Sequence, residues 1–245
     1  MISLVKIPLI LITTVLYDRA YTAPVSTETE EEQKKALKAA HVTLGERIVP
    51  GTTLMVKVLY WTMSAAEIAS ILATRYPSHP LSLYTRTLLS MNGTEASIAS
   101  IGTITPTYFF GSILIVAGSL IRLRCFREMG RHFTFRLSLR EDHKLVTSGP
   151  YGIVRHPSYT GGLMTTLGSV LTLAGSGSWW KEVGGWSARG IFPKVCAGLL
   201  AVSAAFCVKV FTRAGKEDRY LKQEFRAEWE EWAKKVPCMY LPGIY

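Results

Sequence analysis

The sequence predicts an all-α fold, a polytopic membrane helix bundle of about five transmembrane helices with a cytosolic helical tail at the C-terminus. Three observations support it. Hydrophobic residues make up 48% of the 245-residue chain, yet its net charge is +10. The apolar residues are gathered in separate stretches with basic residues between them, and an amphipathic pattern follows the last stretch. A positive mean hydropathy with a basic excess is typical of membrane proteins with basic cytoplasmic loops.

The distribution of charge argues against a nucleic-acid partner. The basic residues flank long apolar segments and do not line one face. The four cysteines are Cys125, Cys196, Cys207 and Cys238, and no two of them form a CxxC pair or a zinc-ligand spacing. We therefore expect no metal site and no disulfide framework, and we interpret Cys196 and Cys207 as packing residues in an apolar segment.

The first predicted span comprises residues 2–16. It is slightly short, and Ala20 and Ala23 behind it would also suit a cleaved signal peptide. We favour a retained helix, because a chain with several later spans does not need a removable signal. Residues 28–47 then mix acids, lysines and alanines at helical spacing, which predicts a solvated or interfacial helix.

The second predicted span, residues 52–73, is interrupted by Lys57 and Glu67. Lys57 can extend its ammonium to the near membrane surface, whereas Glu67 lies deeper and should face protein or a polar cavity. Glu67 is either functional or simply satisfied by a neighbouring helix. Residues 75–103 are expected to form a loop, which carries a glycosylation sequon at Asn92.

Three further spans are predicted at residues 106–123, 159–174 and 191–211. The fourth of the five, residues 159–174, is rich in Gly, Ser and Thr, which permits close helix packing. The connection 122–155 is the most basic short loop, so the positive-inside rule places it in the cytoplasm. The basic tail after residue 211 then falls on the same side, and the Asn92 loop falls in the lumen.

A polar, turn-rich hinge at residues 147–159 precedes the fourth span. Pro157 suits the first turn of a helix, whose N–H groups have no partner within the helix. Helix starts attract anionic groups. The hinge is therefore either a binding site or merely a polar turn that enters a membrane helix. The side chains that could form hydrogen bonds there are Arg155, His156, Ser158 and Tyr159.

The tail predicts one amphipathic helix, because Leu221, Phe225, Trp229 and Trp232 recur at helical spacing. Pro237 should end it. Arg213 and Glu217 continue the same face toward the N-terminus. They form either an exposed i,i+4 pair, worth a few tenths of a kcal/mol, or part of a site that faces the His156 hinge.

Two separated motifs resemble the signature of isoprenylcysteine carboxyl methyltransferases. The first is His143-Lys-Leu-Val-Thr-Ser-Gly-Pro-Tyr-Gly-Ile-Val-Arg-His-Pro-Ser-Tyr159, followed by Gly161 and Gly162. The second combines Arg213 and Glu217 with Phe225, Trp229, Trp232 and Lys234-Lys235-Val236-Pro237. That family belongs to a wider group of integral-membrane methyltransferases that includes phospholipid N-methyltransferases. The resemblance divides the chain into residues 1–104, membrane helices without a signature, and residues 105–245, a methyltransferase core with a cytosolic cofactor site.

The resemblance implies S-adenosylmethionine as cofactor, bound between the cytoplasmic helix ends and the tail, in a fold without a GxGxxG motif. Arg213 would be the catalytic residue that binds the substrate carboxylate, with Arg155 as a second candidate. The resemblance also implies the membrane of the endoplasmic reticulum as location. Carried over to this sequence, the cofactor contacts are His143, Lys144, Leu145, Val146, Tyr151, His156, Pro157, Ser158, Tyr159 and Glu217.

The chemistry of methyl esterification suits these residues. A C-terminal carboxylate has a pKa of about 3.5, so it is ionised at neutral pH and needs no general base. An arginine can bind both of its oxygens, and a membrane bundle can bury the isoprenoid chain of a prenylated cysteine at about 0.8 kcal/mol per CH₂. Two alternatives remain open. One is N-methylation of a lipid amine, which would need a proton acceptor and would gain nothing from an arginine; the other is a non-catalytic membrane scaffold.

Overall fold

The computed structural model describes residues 4–22, 44–89, 94–130, 133, 144–183 and 191–243. Within these residues the chain is all-α, as predicted, with eight α-helices and one short 3-10 turn at Gly149–Gly152. The helices are α1 Lys6–Ala20, α2 Leu44–Arg75, α3 Pro80–Leu88, α4 Glu95–Ser100, α5 Pro106–Met129, α6 Pro157–Ala174, α7 Trp179–Glu182 and α8 Ile191–Lys235.

Two stretches of the described chain are long and apolar enough to cross a membrane, Thr53–Arg75 in α2 and Pro106–Met129 in α5. They correspond to the second and third predicted spans. The other three predicted spans coincide with α1, α6 and the first half of α8. The helices are thus where the sequence predicts them, but the count of about five membrane spans is not confirmed.

The predicted loop at residues 75–103 is wrong in one respect, because it contains α3 and α4. Pro80 occupies the first turn of α3, where its missing N–H costs nothing, and the His79 side chain accepts a hydrogen bond from the N–H of Leu81. Thr94 caps α4 in the same way, with the N–H of Ser97 as donor. Both helices are short, so periodicity gives little sign of them.

Helix α8 joins the fifth predicted span to the predicted tail helix without a break at residue 211. The backbone departs from helical geometry at Arg226, with φ 45° and ψ −111°. A positive φ is unfavourable for a residue with a side chain, so Arg226 marks a kink in α8. The helix ends at Lys235, directly before Val236 and Pro237, as predicted.

The chain forms two compact units, each built from three separate segments. The first unit comprises Met1–Asp18, Met55–Ala117 and Met164–Phe206, and the second comprises Arg19–Leu54, Gly118–Leu163 and Cys207–Tyr245. Small residues permit close helix packing in both. In the first unit a Cβ on Gly111 would lie 2.9 Å from the carbonyl oxygen of Gly168.

Glu67 faces protein in the first unit, as predicted. Its carboxylate forms a fully buried ion pair with Lys6, with 2.7 Å between Oε1 and Nζ. The Lys6 ammonium also donates to the carbonyl oxygens of Ile101 at 3.0 Å and Gly177 at 2.9 Å. The N–H of Trp179 donates to the second Glu67 oxygen at 3.3 Å. The neighbouring elements therefore supply partners for the Glu67 carboxylate, in line with the structural role given above as the alternative to a functional one.

Candidate active site

The candidate site lies in the second unit, where the hinge enters α6. The turn Gly149–Gly152 is pinned to the end of α5, because Ser148 donates a hydrogen bond to the Glu128 carboxylate at 3.0 Å. Gly149 has a φ of +58°, and a Cβ there would lie 2.7 Å from the same carboxylate. The positive φ favours glycine at this position, and the absence of a Cβ leaves room for the Glu128 carboxylate. Pro157 then occupies the first turn of α6, as predicted.

A buried arginine, Arg122 near the end of α5, braces the start of α6. Its Nε donates to the carbonyl oxygen of Ala20 at 2.7 Å, and one terminal nitrogen donates to the carbonyl oxygen of Ser158 at 3.1 Å. A Cβ on Gly161 would lie 3.0 Å from Cγ of Arg122, and a Cβ on Gly162 would lie 3.0 Å from a terminal guanidinium nitrogen, so both glycines make room for this side chain. From the sequence, Arg122 is expected only as part of the basic connection 122–155, so this contact is not predicted.

Asp218 on α8 is the centre of the site. One carboxylate oxygen accepts from Arg155 Nε at 3.1 Å, and the other lies 2.9 Å from His156 Nε2. Burial by itself would raise the pKa of Asp218, but the hydrogen bond with His156 and the charge of Arg155 outweigh it and hold this pKa below its usual range. Asp218 is therefore ionised at neutral pH.

The resemblance implies Glu217 as a cofactor contact, whereas Asp218 is not among the expected site residues. A signal was present, because Asp218 lies three residues before Leu221 and so extends the apolar stripe of the tail by one turn. A carboxylate on that buried face needs partners, and the hinge supplies Arg155 and His156.

Glu217 and Arg213 border this cluster on α8. The Tyr159 hydroxyl donates to the Glu217 carboxylate at 2.6 Å, and the Tyr159 side chain also interacts with Arg213. The imidazole of His156 stacks on the Tyr159 ring, with 5.5 Å between centroids. The structure thus brings Arg213 and Glu217 to the His156 hinge, which favours the site over an isolated surface pair.

An apolar cluster supports the polar groups from the tail side. Trp232 of α8 donates its indole N–H to the carbonyl oxygen of Tyr151 at 3.0 Å. Burial raises the pKa of Tyr151 well above its usual value, and its neutral hydroxyl donates to the Met129 sulfur at 2.9 Å. The buried members are Cys125, Tyr151, Trp232 and Val236, and Leu145, Val146 and Trp229 pack against them.

The predicted site residues therefore fall into distinct groups. Arg155, His156, Tyr159, Arg213 and Glu217 meet around Asp218. Leu145, Val146 and Tyr151 belong to the apolar cluster. Pro157 is buried at the start of α6, Ser158 contacts Arg122, and Lys144 is exposed. His143 lies outside the described residues.

Comparisons with known proteins point to one family. Residues 111–178 match the model of the isoprenylcysteine carboxyl methyltransferase (ICMT) family. Protein-S-isoprenylcysteine O-methyltransferase B of Arabidopsis thaliana is 33% identical over 132 residues, which cover 52% of this chain and 56% of that protein. Protein-S-isoprenylcysteine O-methyltransferase A of the same plant is 31% identical over 131 residues, which cover 52% and 55%. No solved structure matches the chain.

A more distant relative agrees. Protein-S-isoprenylcysteine O-methyltransferase of Schizosaccharomyces pombe is 29% identical over 122 residues, which cover 49% of this chain and 43% of that protein. The chain spans about half the length of the curated relatives it matches. The matched residues 111–178 contain the braced hinge and all of α6. Over this part of its length the chain is similar to the isoprenylcysteine carboxyl methyltransferase family.

Proposed function

We propose that this chain is an S-adenosylmethionine-dependent methyltransferase that esterifies the C-terminal carboxylate of isoprenylated cysteine. The observation that carries the proposal is the meeting of the hinge with α8 around Asp218. This contact places two arginines, two acids and two aromatic rings together at the first turn of α6. Such a set can hold a charged cofactor beside an anionic substrate.

The residues around Tyr159 fit the cofactor. S-adenosylmethionine carries an ammonium and a sulfonium, and it supplies a methyl group bound to cationic sulfur. Glu217 is half-buried, and the Tyr159 hydroxyl uses one of about four acceptor positions of its carboxylate. The remaining positions suit the ammonium. The ring faces of Tyr159 and His156 suit a sulfonium or an adenine.

Arg213 is the residue that we expect to hold the substrate carboxylate. It lies one helical turn before Glu217 and is half-buried, which strengthens its attraction for an anion. Its planar guanidinium can bind both carboxylate oxygens and fix one of them in line with the methyl carbon. The carboxylate has a pKa of about 3.5, so no side chain has to remove a proton.

Arg155 is better suited to positioning than to substrate binding. Its guanidinium donates to Asp218 and to the carbonyl oxygens of Val236 and Pro237, at 3.1, 3.0 and 2.6 Å respectively. These three bonds occupy most of its five donors. We therefore assign the carboxylate to Arg213 and give Arg155 the task of holding Asp218 and the chain after α8.

The membrane is part of the proposal. The isoprenoid chain enters from lipid between apolar helices, and each buried CH₂ contributes about 0.8 kcal/mol. The site and the C-terminus lie in the cytosol, since the basic connection 122–155 favours that side. The membrane is that of the endoplasmic reticulum, in line with the resemblance.

The test is methyl transfer by membranes that contain the full chain. Labelled S-adenosylmethionine is supplied with either a farnesylated cysteine analogue or phosphatidylethanolamine. The proposal expects label that base releases from the cysteine analogue, because esters hydrolyse and methylated amines do not. Base-stable label in lipid alone would replace the proposal by lipid N-methylation. Calorimetry that found no binding of S-adenosylmethionine would favour the non-catalytic scaffold.

The arginine assignment has its own test. Arg213→Ala should lower kcat/KM by about 100-fold, since a charge-assisted bidentate contact is worth roughly 3 kcal/mol, while cofactor affinity changes little. Arg213→Lys should recover only part of the rate, because an ammonium lacks the planar fork. Arg219→Ala, which removes an exposed arginine from the same helix, is the matched control. Equal loss of rate and cofactor affinity in Arg213→Ala would instead make Arg213 structural.

A further inference from the structure

The chain after α8 contacts the hinge mainly through its backbone oxygens. Residues 236–240, which we call the strap, follow the end of α8 directly. Each of their five consecutive carbonyl oxygens accepts a hydrogen bond from the hinge or from the first turn of α6. These five hydrogen bonds therefore do not depend on the strap's own side chains.

The donors come from three neighbouring residues. The Arg155 guanidinium donates to Val236 and Pro237, at 3.0 and 2.6 Å. The backbone N–H groups of Arg155 and His156 donate to residues 238 and 239, at 2.9 and 2.8 Å. The Thr160 hydroxyl donates to the carbonyl oxygen of Tyr240 at 2.7 Å. Together these bonds hold the strap against the hinge and the first turn of α6.

The same three residues adjoin the cluster around Asp218. Arg155 and His156 both bind the Asp218 carboxylate. The Tyr240 ring lies 6.2 Å from the His156 ring, which also stacks on Tyr159 at 5.5 Å. The strap thus binds the backbone of the hinge, whereas Asp218 binds the side chains of Arg155 and His156.

We propose that the strap is a positioning element of the cofactor site, and that Thr160 is the positioning residue that anchors its last bond. This inference rests on the proposed function. Without the strap, the backbone N–H groups of Arg155 and His156 lose their acceptors. We expect the His156 and Tyr159 rings then to lose their fixed mutual orientation. The expected consequence is weaker cofactor binding with little change in the rate of methyl transfer once the cofactor is bound.

The experiment measures binding of S-adenosylmethionine to the purified full chain in detergent, together with KM and kcat in membranes. Thr160→Val removes the hydroxyl and keeps the shape, and Thr160→Ser keeps the hydroxyl. Thr172→Val is the matched control, because its hydroxyl donates to Ser169 on the same helix, 3.1 Å away and in the first unit. A fourth variant ends at Lys235 and removes the strap.

Thr160→Val should raise the cofactor Kd and KM by about fivefold and leave kcat within about twofold, since one hydrogen bond is lost. Thr160→Ser should restore the wild-type Kd, and Thr172→Val should leave it unchanged. The chain ending at Lys235 should bind at least 50-fold more weakly, by the loss of several such bonds at about fivefold each.

Wild-type affinity in both Thr160→Val and the shortened chain would overturn the inference. An equal rise of Kd in Thr160→Val and Thr172→Val would overturn it as well, because the effect would then reflect general stability. If the shortened chain fails to fold, Thr160→Val alone decides. A wild-type chain that bound no cofactor would instead refute the proposed function, and the two failures are therefore distinguishable.

Discussion

Asp218 shows how a single residue links two distant stretches of the chain. Its carboxylate joins Arg155 and His156 of the hinge to α8. Asp218→Asn keeps the shape and removes the charge, so the partly buried guanidinium of Arg155 and the buried imidazole of His156 lose their anionic partner. We expect the free energy of unfolding to fall by about 1–3 kcal/mol, measured by denaturant unfolding in detergent. Glu224→Gln, an exposed change on the same helix, should have no effect.

Acid should remove the contribution of Asp218. The pKa of this carboxyl lies below its usual value in the folded chain, because the hydrogen bond with His156 and the charge of Arg155 outweigh burial. A depressed pKa stabilises the folded state above the unfolded pKa of about 3.9, and the stabilisation is lost as pH falls through the folded value. The difference in Tm between wild type and Asp218→Asn should therefore be constant above about pH 5. It should shrink below about pH 4, and a difference that persisted unchanged in stronger acid would contradict the assignment.

At the scale of the element, the approach of α6 to α5 depends on glycine. A Cβ on Gly161 would lie 2.6 Å from the carbonyl oxygen of Gly118, a backbone atom that cannot turn aside. Gly161→Ala should therefore separate the helices and cost about 1–3 kcal/mol of stability. The measurement is thermal unfolding in detergent. Gly198→Ala on α8 is the control, because a Cβ there meets nothing within 4 Å and alanine favours helix; a similar loss in both variants would argue against steric packing.

The helices themselves were largely predictable, for local reasons. Helix α6 begins at Pro157, and α8 ends two residues before Pro237. Both boundaries follow from the fixed φ and the missing N–H of proline. The stripe that ends at Trp232 is the least exposed face of its part of α8. Helices α3 and α4 were missed, because each is too short for a hydrophobic periodicity to be recognised in the sequence. Their capping residues are the clearer signal. The kink at Arg226 has no local signal, since arginine does not favour a positive φ.

At the scale of the whole molecule, one buried ion pair gathers four separate parts of the first unit. Lys6 on α1 pairs with Glu67 on α2 and also holds the carbonyl oxygens of Ile101 and Gly177. Lys6→Met should cost about 3–5 kcal/mol, because it leaves the Glu67 charge buried without its cation. The double variant Lys6→Met with Glu67→Leu should recover most of that loss, and unfolding of both variants in detergent measures the coupling. Strictly additive losses would contradict it.

The sequence by itself determined most of the helical segments, the basic connection 122–155 and the two motifs that resemble the isoprenylcysteine carboxyl methyltransferase signature. These features are local, since hydrophobic period, capping residues and motif spacing are all read within a few turns of chain. The tertiary structure alone decided that Arg155 and His156 form hydrogen bonds with Asp218, the neighbour of the predicted Glu217. It also decided that the carbonyl oxygens of the strap accept hydrogen bonds from the hinge and from Thr160. Both outcomes depend on which distant segments meet, because a buried charge or a backbone oxygen takes whichever partner the fold brings within hydrogen-bond reach.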